Sequence, residues 1–182
     1  MLQLRKKAVC IMLLKGKTIA LFVEDEYEDN EYWYPYYRML EEGARVETVA
    51  PEKKKYYSKN GAPAEATMTA DEAKNCSFDA LIIPGGYAPD KMRRSKAMVE
   101  LVKKISEEGK PVASICHGPW MMASAGILKG KKATCFFSIK DDVINAGAHY
   151  LDAEVVQDGN LITSRVPSDL PAFCRTIIQA LQ

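Results

Sequence analysis

The chain has 182 residues, 47% hydrophobic and 27% charged, and its 25 basic side chains nearly cancel 24 acidic ones, leaving a formal net charge of +1. At roughly 150 residues per domain this is the length of one compact domain, and the composition argues against disorder, a collagen-like repeat and a strong nucleic-acid-binding face. No apolar run approaches the roughly 20 residues that cross a bilayer, because Lys15 and Lys17 interrupt the one candidate stretch.

At the N-terminus Arg5, Lys6 and Lys7 precede a short apolar stretch over residues 8–14. This reads only weakly as a leader, since the apolar part is minimal and no small-x-small cleavage site follows. The five cysteines (Cys10, Cys76, Cys116, Cys135 and Cys174) are odd in number and widely spaced, with no Cys-x-x-Cys. Two histidines are too few to partner them at a metal, so a reducing cytoplasm and no metal are expected.

Residues 18–23 (Thr-Ile-Ala-Leu-Phe-Val) form a continuous apolar run ending in acidic residues, the pattern of a strand buried on both faces. Helical spacing of Trp33, Tyr36, Tyr37 and Leu40 predicts a helix over 29–42, kinked or late-starting because of Pro35 and closed by Gly43. A strand over 45–50 follows, then a surface hairpin within 52–69 built around Asn60-Gly61. Next come a buried strand at 78–84 and a helix over 95–108 with Met98, Leu101, Val102 and Ile105 on one face. A third buried strand covers 111–115 and runs at once into Cys116-His117-Gly118-Pro119 and a small-residue helix through Ala125. The remainder reads as a strand at 133–136, a helix over 139–146, strands at 153–157 and 161–164 joined by Asp158-Gly159-Asn160, and a closing helix over 169–181. Alternating strands and helices predict a mostly parallel α/β sheet with helices on both faces.

In such sheets reactive groups gather where the carboxyl ends of the strands open outward. Three strand ends stand out. The first runs into Glu24, Asp25, Glu26, Glu28 and Asp29, the second into Pro84-Gly85-Gly86, and the third into Cys116-His117-Gly118. A small-residue strand delivering a cysteine into a turn that opens a helix is the thiol version of a nucleophile elbow. A helix N-terminus there favours negative charge on sulfur. Two glycines allow backbone N–H groups to be aimed at an oxyanion, His117 is available as a base, and at most one acidic residue is expected to face the thiol. His149 reads as structural.

These residues carry a resemblance. The stretch Phe22 to Asp29, Tyr34-Pro35-Tyr36, Glu41-Glu42-Gly43, Pro84-Gly85-Gly86 with Ala88-Pro89, Gly109 through Pro119, Lys140-Asp141-Asp142, Asn145-Ala146-Gly147 and Ser164-Arg165 with Pro167, Asp169 and Leu170 resemble the PfpI family of intracellular cysteine peptidases. That family is a branch of the glutamine-amidotransferase-like superfamily, which also holds the parkinsonism-associated protein deglycase. The likeness runs over residues 17–182 as a single domain and leaves 1–16 as an extension outside it.

The resemblance implies a flavodoxin-like three-layer α/β sandwich with a nucleophile elbow and no cofactor or metal. It implies Cys116 as nucleophile, Glu28 as the glutamate that approaches the thiol, His117 as the active-site histidine, and the amides of Gly86 and His117 as oxyanion donors. A carboxyl beside a thiolate should be protonated and share its titration with the sulfur. In hexameric members a carboxylate from a neighbouring subunit orients the histidine, and the matching position is Asp90. A homo-oligomer, a hexamer built from dimers, is therefore expected, with a peptide or small aldehyde as substrate and no nucleic-acid or membrane partner. The activity implied most directly is a cytoplasmic cysteine peptidase. A cofactor-free glyoxalase or deglycase acting on methylglyoxal and its adducts would use the same groups. A redox-sensing chaperone with Cys116 oxidised to a sulfinate beside Glu28 is a further alternative. The chain departs from the family's archaeal peptidases at Tyr87, Asp90, Trp120 and Phe136-Phe137-Ser138, where those usually have Arg, Glu, Gln and Tyr-Pro-Gly. A more aromatic pocket wall follows.

Overall fold

The computed structural model describes residues 12–182; the leader-like pattern at residues 5–7 and Cys10 lie outside the described residues. Leu14, ahead of the stretch that carries the resemblance, is fully buried, and its N–H donates to the Glu42 carbonyl at 2.8 Å.

Strand β1 (Thr18–Phe22) is the expected apolar run, buried from Ile19 onward. Helix α1 (Asp29–Glu41) starts at Asp29 rather than late. The Glu28 side chain caps it by accepting from the Asn30 N–H at 3.2 Å, so the first turn is satisfied before Pro35 is reached. Pro35 removes only one helical hydrogen bond, the one that would reach the Glu31 carbonyl, and is itself buried. Strand β2 (Arg45–Ala50) follows. The expected hairpin is β3 (Lys55–Tyr57) against β4 (Pro63–Glu65), a separate two-stranded sheet, while β5 (Met68–Thr69) pairs in parallel with β2. Helix α2 (Ala70–Ala73), not foreseen from the pattern, rests on a Thr69–Glu72 capping box.

Strand β6 (Ala80–Ile83), the unforeseen short helix α3 (Ala88–Met92), and α4 (Lys96–Glu107) come next. The Ser95 hydroxyl caps α4, whose Met98, Leu101, Val102 and Ile105 are buried as the spacing predicts. Strand β7 (Val112–Ile115) leads into α5 (Pro119–Ser124). Strand β8 (Lys132–Ala133) is shorter than the expected 133–136, because beyond it the chain turns to the elbow, where the Phe136 N–H donates to the Cys116 carbonyl at 3.0 Å. After α6 (Lys140–Asn145), β9 (His149–Tyr150) pairs with β8 in a second small sheet, which places His149 on an exposed strand. Strands β10 (Val155–Asp158) and β11 (Leu161–Ser164) and helix α7 (Leu170–Ala180) complete the described chain.

The main sheet has the order β10-β11-β7-β6-β1-β2-β5, with every neighbouring pair parallel except β10 with β11. Strands β6, β7 and β11 are buried along their whole length, which requires cover on both faces. Helices α1 and α7 pack together, and α7 lies on β10 and β11, while α4 packs on β6 and β7 beside α2 and α5. This is the flavodoxin-like α/β arrangement that the resemblance implies. Among the described residues no helix is long and apolar enough to cross a membrane.

Candidate active site

Strands β7, β6 and β1 are adjacent and parallel, so the three marked strand ends open at one edge of the sheet. The loops after β1 and β6 are tied together. The Glu28 N–H donates to the Gly85 carbonyl at 3.2 Å and the Tyr87 N–H to the Glu26 carbonyl at 2.9 Å, with Tyr27 bridging Gly86. Gly86 has φ +76°, and a Cβ there would lie 2.5 Å from the Glu26 oxygen and 2.6 Å from the Glu28 nitrogen, both backbone atoms that cannot yield. Gly86→Ala is accordingly expected to cost about 3 kcal/mol or more in urea denaturation and to turn the Gly86 amide away from the site. A loss under about 1 kcal/mol would mean that the two loops are not rigidly joined.

Cys116 has φ +61°, and Cys116 and Glu26 are the two non-glycine residues among those described with positive φ. Such a backbone costs an L-residue roughly 1–2 kcal/mol. It persists because the turn is held on three sides: the Cys116 N–H donates to the Ser164 carbonyl at 3.1 Å, its carbonyl accepts from Phe136, and the Gly118 N–H closes back on Ile115 at 2.8 Å. The sulfur is thereby lifted above the sheet, where the backbone N–H groups of Gly86 and His117 act to lower the thiol pKa. Gly86, Cys116 and His117, to which the resemblance assigns the oxyanion donors and the nucleophile, line one cavity.

The carboxyl beside the thiol is Glu31, and this corrects the expectation for Glu28. Glu28 is the N-cap of α1, and its carboxylate is turned back onto the helix's own backbone at Asn30. Glu31, three residues on, is fully buried, and its Oε2 accepts the Gly85 N–H at 2.8 Å. A Cβ on Gly85 would lie 2.5 Å from Glu31 Oε2 and 2.6 Å from Cys116 Cβ, which shows how closely carboxyl and cysteine approach over this glycine. Burial, with the neighbouring Glu28 charge adding to it, pushes Glu31 up to about 8 against the Gly85 hydrogen bond. Glu31 is therefore a neutral acid at pH 7. Its Oε1 is buried without a hydrogen-bond partner, so an acid proton there is free to turn toward the neighbouring sulfur. Burial pushes the thiol up, and an ionised Glu31 would add to that push. With Glu31 neutral the repulsion is gone, and the Gly86 and His117 amides lower the thiol pKa against the burial that raises it.

His117 is bound to the thiol directly, closer than its adjacent position on a tight turn suggests. Its Nδ1 lies 3.2 Å from Cys116 Sγ and its Nε2 3.2 Å from Ser138 Oγ. Burial, with the Lys59 charge adding to it, lowers its pKa, so the ring is neutral. Trp120 and Phe136 meet the imidazole with ring centroids at 5.1 Å each, and the Trp120 Nε1–H is held by Asp142 at 2.8 Å. Asp90 is on α3, ion-paired with Arg94 and half-exposed, and it does not line the cavity of its own chain. That cavity, of about 410 Å³, is bounded by Glu28, Glu31, Lys59, Cys116, His117 and Ser138 among others, with Tyr87 and Phe136 supplying aromatic wall. Among the described residues no cluster of three His, Cys, Asp or Glu is arranged to hold a metal ion.

The model of the DJ-1/PfpI family matches residues 17–180. The chain belongs to the DJ-1/PfpI family. It is 46% identical to the Pyrococcus furiosus protein named Deglycase PfpI, over 90% of this chain and 99% of that one. It is 41% identical to Protein/nucleic acid deglycase 2 of Escherichia coli, over 91% and 98% respectively. A crystal structure from Anabaena variabilis, of a two-domain protein with DJ-1/ThiJ/PfpI-like and ferritin-like domains, superposes with a TM-score of 0.89 at 43% identity. That comparison covers 91% of this chain but only 48% of the larger one. Within this DJ-1/PfpI site, Glu31, Lys59 and Ser138 are the residues that pattern reading missed. Glu31 had a local signal, since the third residue of a helix points back toward its N-terminus and the strand ends there.

Proposed function

We propose that this protein is a cysteine-dependent deglycase and glyoxalase, acting on methylglyoxal and on the adducts it leaves on amino and thiol groups. The observation that carries this reading is the buried, neutral Glu31 against the Cys116 sulfur. It is an acid of the right pKa to deliver and recover a proton at neutral pH, in a cavity near the small end of the range for small-molecule sites. Relatives named as deglycases support the same reading.

In the proposed reaction the Cys116 sulfur adds to the aldehyde carbon, forming a C–S bond while the carbonyl electron pair moves to oxygen, where a proton from Glu31 neutralises it. The aldehyde hydrogen then leaves as a proton to the Glu31 carboxylate and is returned to the adjacent carbon, while the hemithioacetal hydroxyl proton passes to the former ketone oxygen, so that a thioester carbonyl forms as the ketone becomes an alcohol. The oxidation of one carbon is balanced by reduction of its neighbour, so no external oxidant is needed. Water cleaves the resulting thioester, releasing lactate and restoring the thiol. With an amine adduct, the C–S bond forms at the same carbon as the C–N bond breaks, and the departing amine takes the Glu31 proton. Catalysis is tested by measuring lactate from methylglyoxal beside cleavage of a fluorogenic peptide. Lactate formation that saturates with substrate is expected. Peptide cleavage without lactate would overturn the proposal in favour of a peptidase.

A further inference from the structure

The hydroxyl on the far side of the histidine has no place in the reaction above. We propose that Ser138 is the positioning residue for His117, its hydroxyl donating to Nε2 and so holding the neutral imidazole as the tautomer whose Nδ1–H faces the Cys116 sulfur. Two distances define the relay, 3.2 Å from Ser138 Oγ to Nε2 and 3.2 Å from Nδ1 to Sγ.

A neutral imidazole has one N–H, and which nitrogen carries it is set by the partner on the other side. A carboxylate at Nε2 can only accept, so it would draw the proton to Nε2 and leave a bare lone pair toward the sulfur unless the ring became charged. A hydroxyl can donate. It allows the ring to stay neutral while Nδ1–H joins the Gly86 and His117 amides and the Glu31 acid as a donor to the thiolate. The chain holds Ser138 in place through the nucleophile itself. Ser138 is the middle residue of a 3-10 turn, Phe137–Ile139, whose preceding residue donates its N–H to the Cys116 carbonyl at 3.0 Å. Ile139 is buried and its N–H returns to the Phe136 carbonyl at 3.1 Å. Ser138 itself is exposed at the cavity mouth, where a bound substrate would displace the water that competes for its hydrogen bond. Asp90 of the same chain does not take this role, being paired with Arg94.

The proposal rests on Cys116 being the nucleophile but not on the identity of the substrate, so it is tested on the thiol. Iodoacetamide alkylation of Cys116 is followed against pH in the full-length protein. Ser138→Ala is expected to raise the apparent thiol pKa and to slow alkylation at pH 7 about fivefold, the size of one net hydrogen bond. Ser138→Thr, which keeps the hydroxyl, should restore the wild-type profile. Nitrogen-15 NMR of the labelled protein should report His117 protonated at Nδ1 in wild type and redistributed toward Nε2 in Ser138→Ala. An alkylation profile within twofold of wild type for Ser138→Ala, an Nε2–H tautomer in the wild type, or a shift produced by Asp90→Ala instead of Ser138→Ala would overturn it. Absence of lactate with these results intact would refute the deglycase reading and leave the Ser138 relay standing.

Discussion

Replacing Cys116 by Ala is expected to lower lactate formation from methylglyoxal by about a thousandfold or more while keeping the melting temperature within a few degrees of wild type. The first effect follows from chemistry that no neighbour can supply. Cys135 and Cys174 are buried elsewhere in the core, and burial pushes each of them up to about 12. The second follows from packing, because the side chain is small and the turn is held by backbone hydrogen bonds at Ser164, Phe136 and Ile115 that Ala retains. Alanine also retains the Cβ and hence the cost of φ +61°. Cys116→Gly removes that cost, so the glycine variant should be the more stable of the two inactive proteins, by up to about 1 kcal/mol. Residual lactate above a tenth of wild type in Cys116→Ala would place the chemistry on another residue. A glycine variant less stable than the alanine variant would mean that the elbow is not strained.

Glu31→Gln is expected to change how stability depends on pH more than any other single substitution in the site. The folded protein raises the Glu31 pKa from the ordinary 4.5 to about 8. Between those values the folded state holds a proton that the unfolded chain has lost, so stability falls as pH rises. The contribution is fully present below about pH 4.5 and exhausted above about pH 8. At about 1.4 kcal/mol per unit the whole span is on the order of 5 kcal/mol. Glutamine has no proton to lose. The difference in unfolding free energy, wild type minus Glu31→Gln, should therefore fall by several kcal/mol between pH 5 and pH 8.5, a change of roughly 10 °C in relative melting temperature for a chain of this size. Glu28→Ala, which removes the N-cap of α1, should instead cost about 1 kcal/mol. Parallel pH profiles for wild type and Glu31→Gln would show that Glu31 ionises freely and is not the acid beside the sulfur. In alkylation, ionisation of Glu31 near pH 8 adds a like charge at the sulfur and should flatten the wild-type curve there, whereas Glu31→Gln should follow a single-proton curve.

Much of this site is written in short stretches of chain. The elbow is legible because its requirements are local: a buried small-residue strand, a turn that strains the nucleophile's backbone, and a glycine at 118 whose Cβ would meet the Ile83 and Ile115 carbonyl oxygens at 2.7 and 2.8 Å. The Pro84-Gly85-Gly86 turn is legible for the same reason, and burial of β1, β6 and β7 follows from their unbroken apolar runs. The short helices α2 and α3 lack the length for periodicity to show, and β8 gives up its last residues to the elbow's carbonyl. The sequence alone thus determined the elbow that carries Cys116, the glycine turn beside it and the layered α/β class. It offered a row of five carboxylates, of which the resemblance chose Glu28, and it gave neither Glu31 nor Ser138 a place in the site. Those choices belong to the tertiary structure. Which acid meets the sulfur depends on where α1 begins and how it lies on the sheet: the N-cap position turns Glu28 onto its own helix, and the first turn of that helix delivers Glu31 to the Gly85 N–H at the end of β6. Ser138 reaches His117, 21 positions earlier in the chain, only because the loop after β8 hydrogen-bonds to the elbow, a long-range contact that no periodicity or spacing encodes.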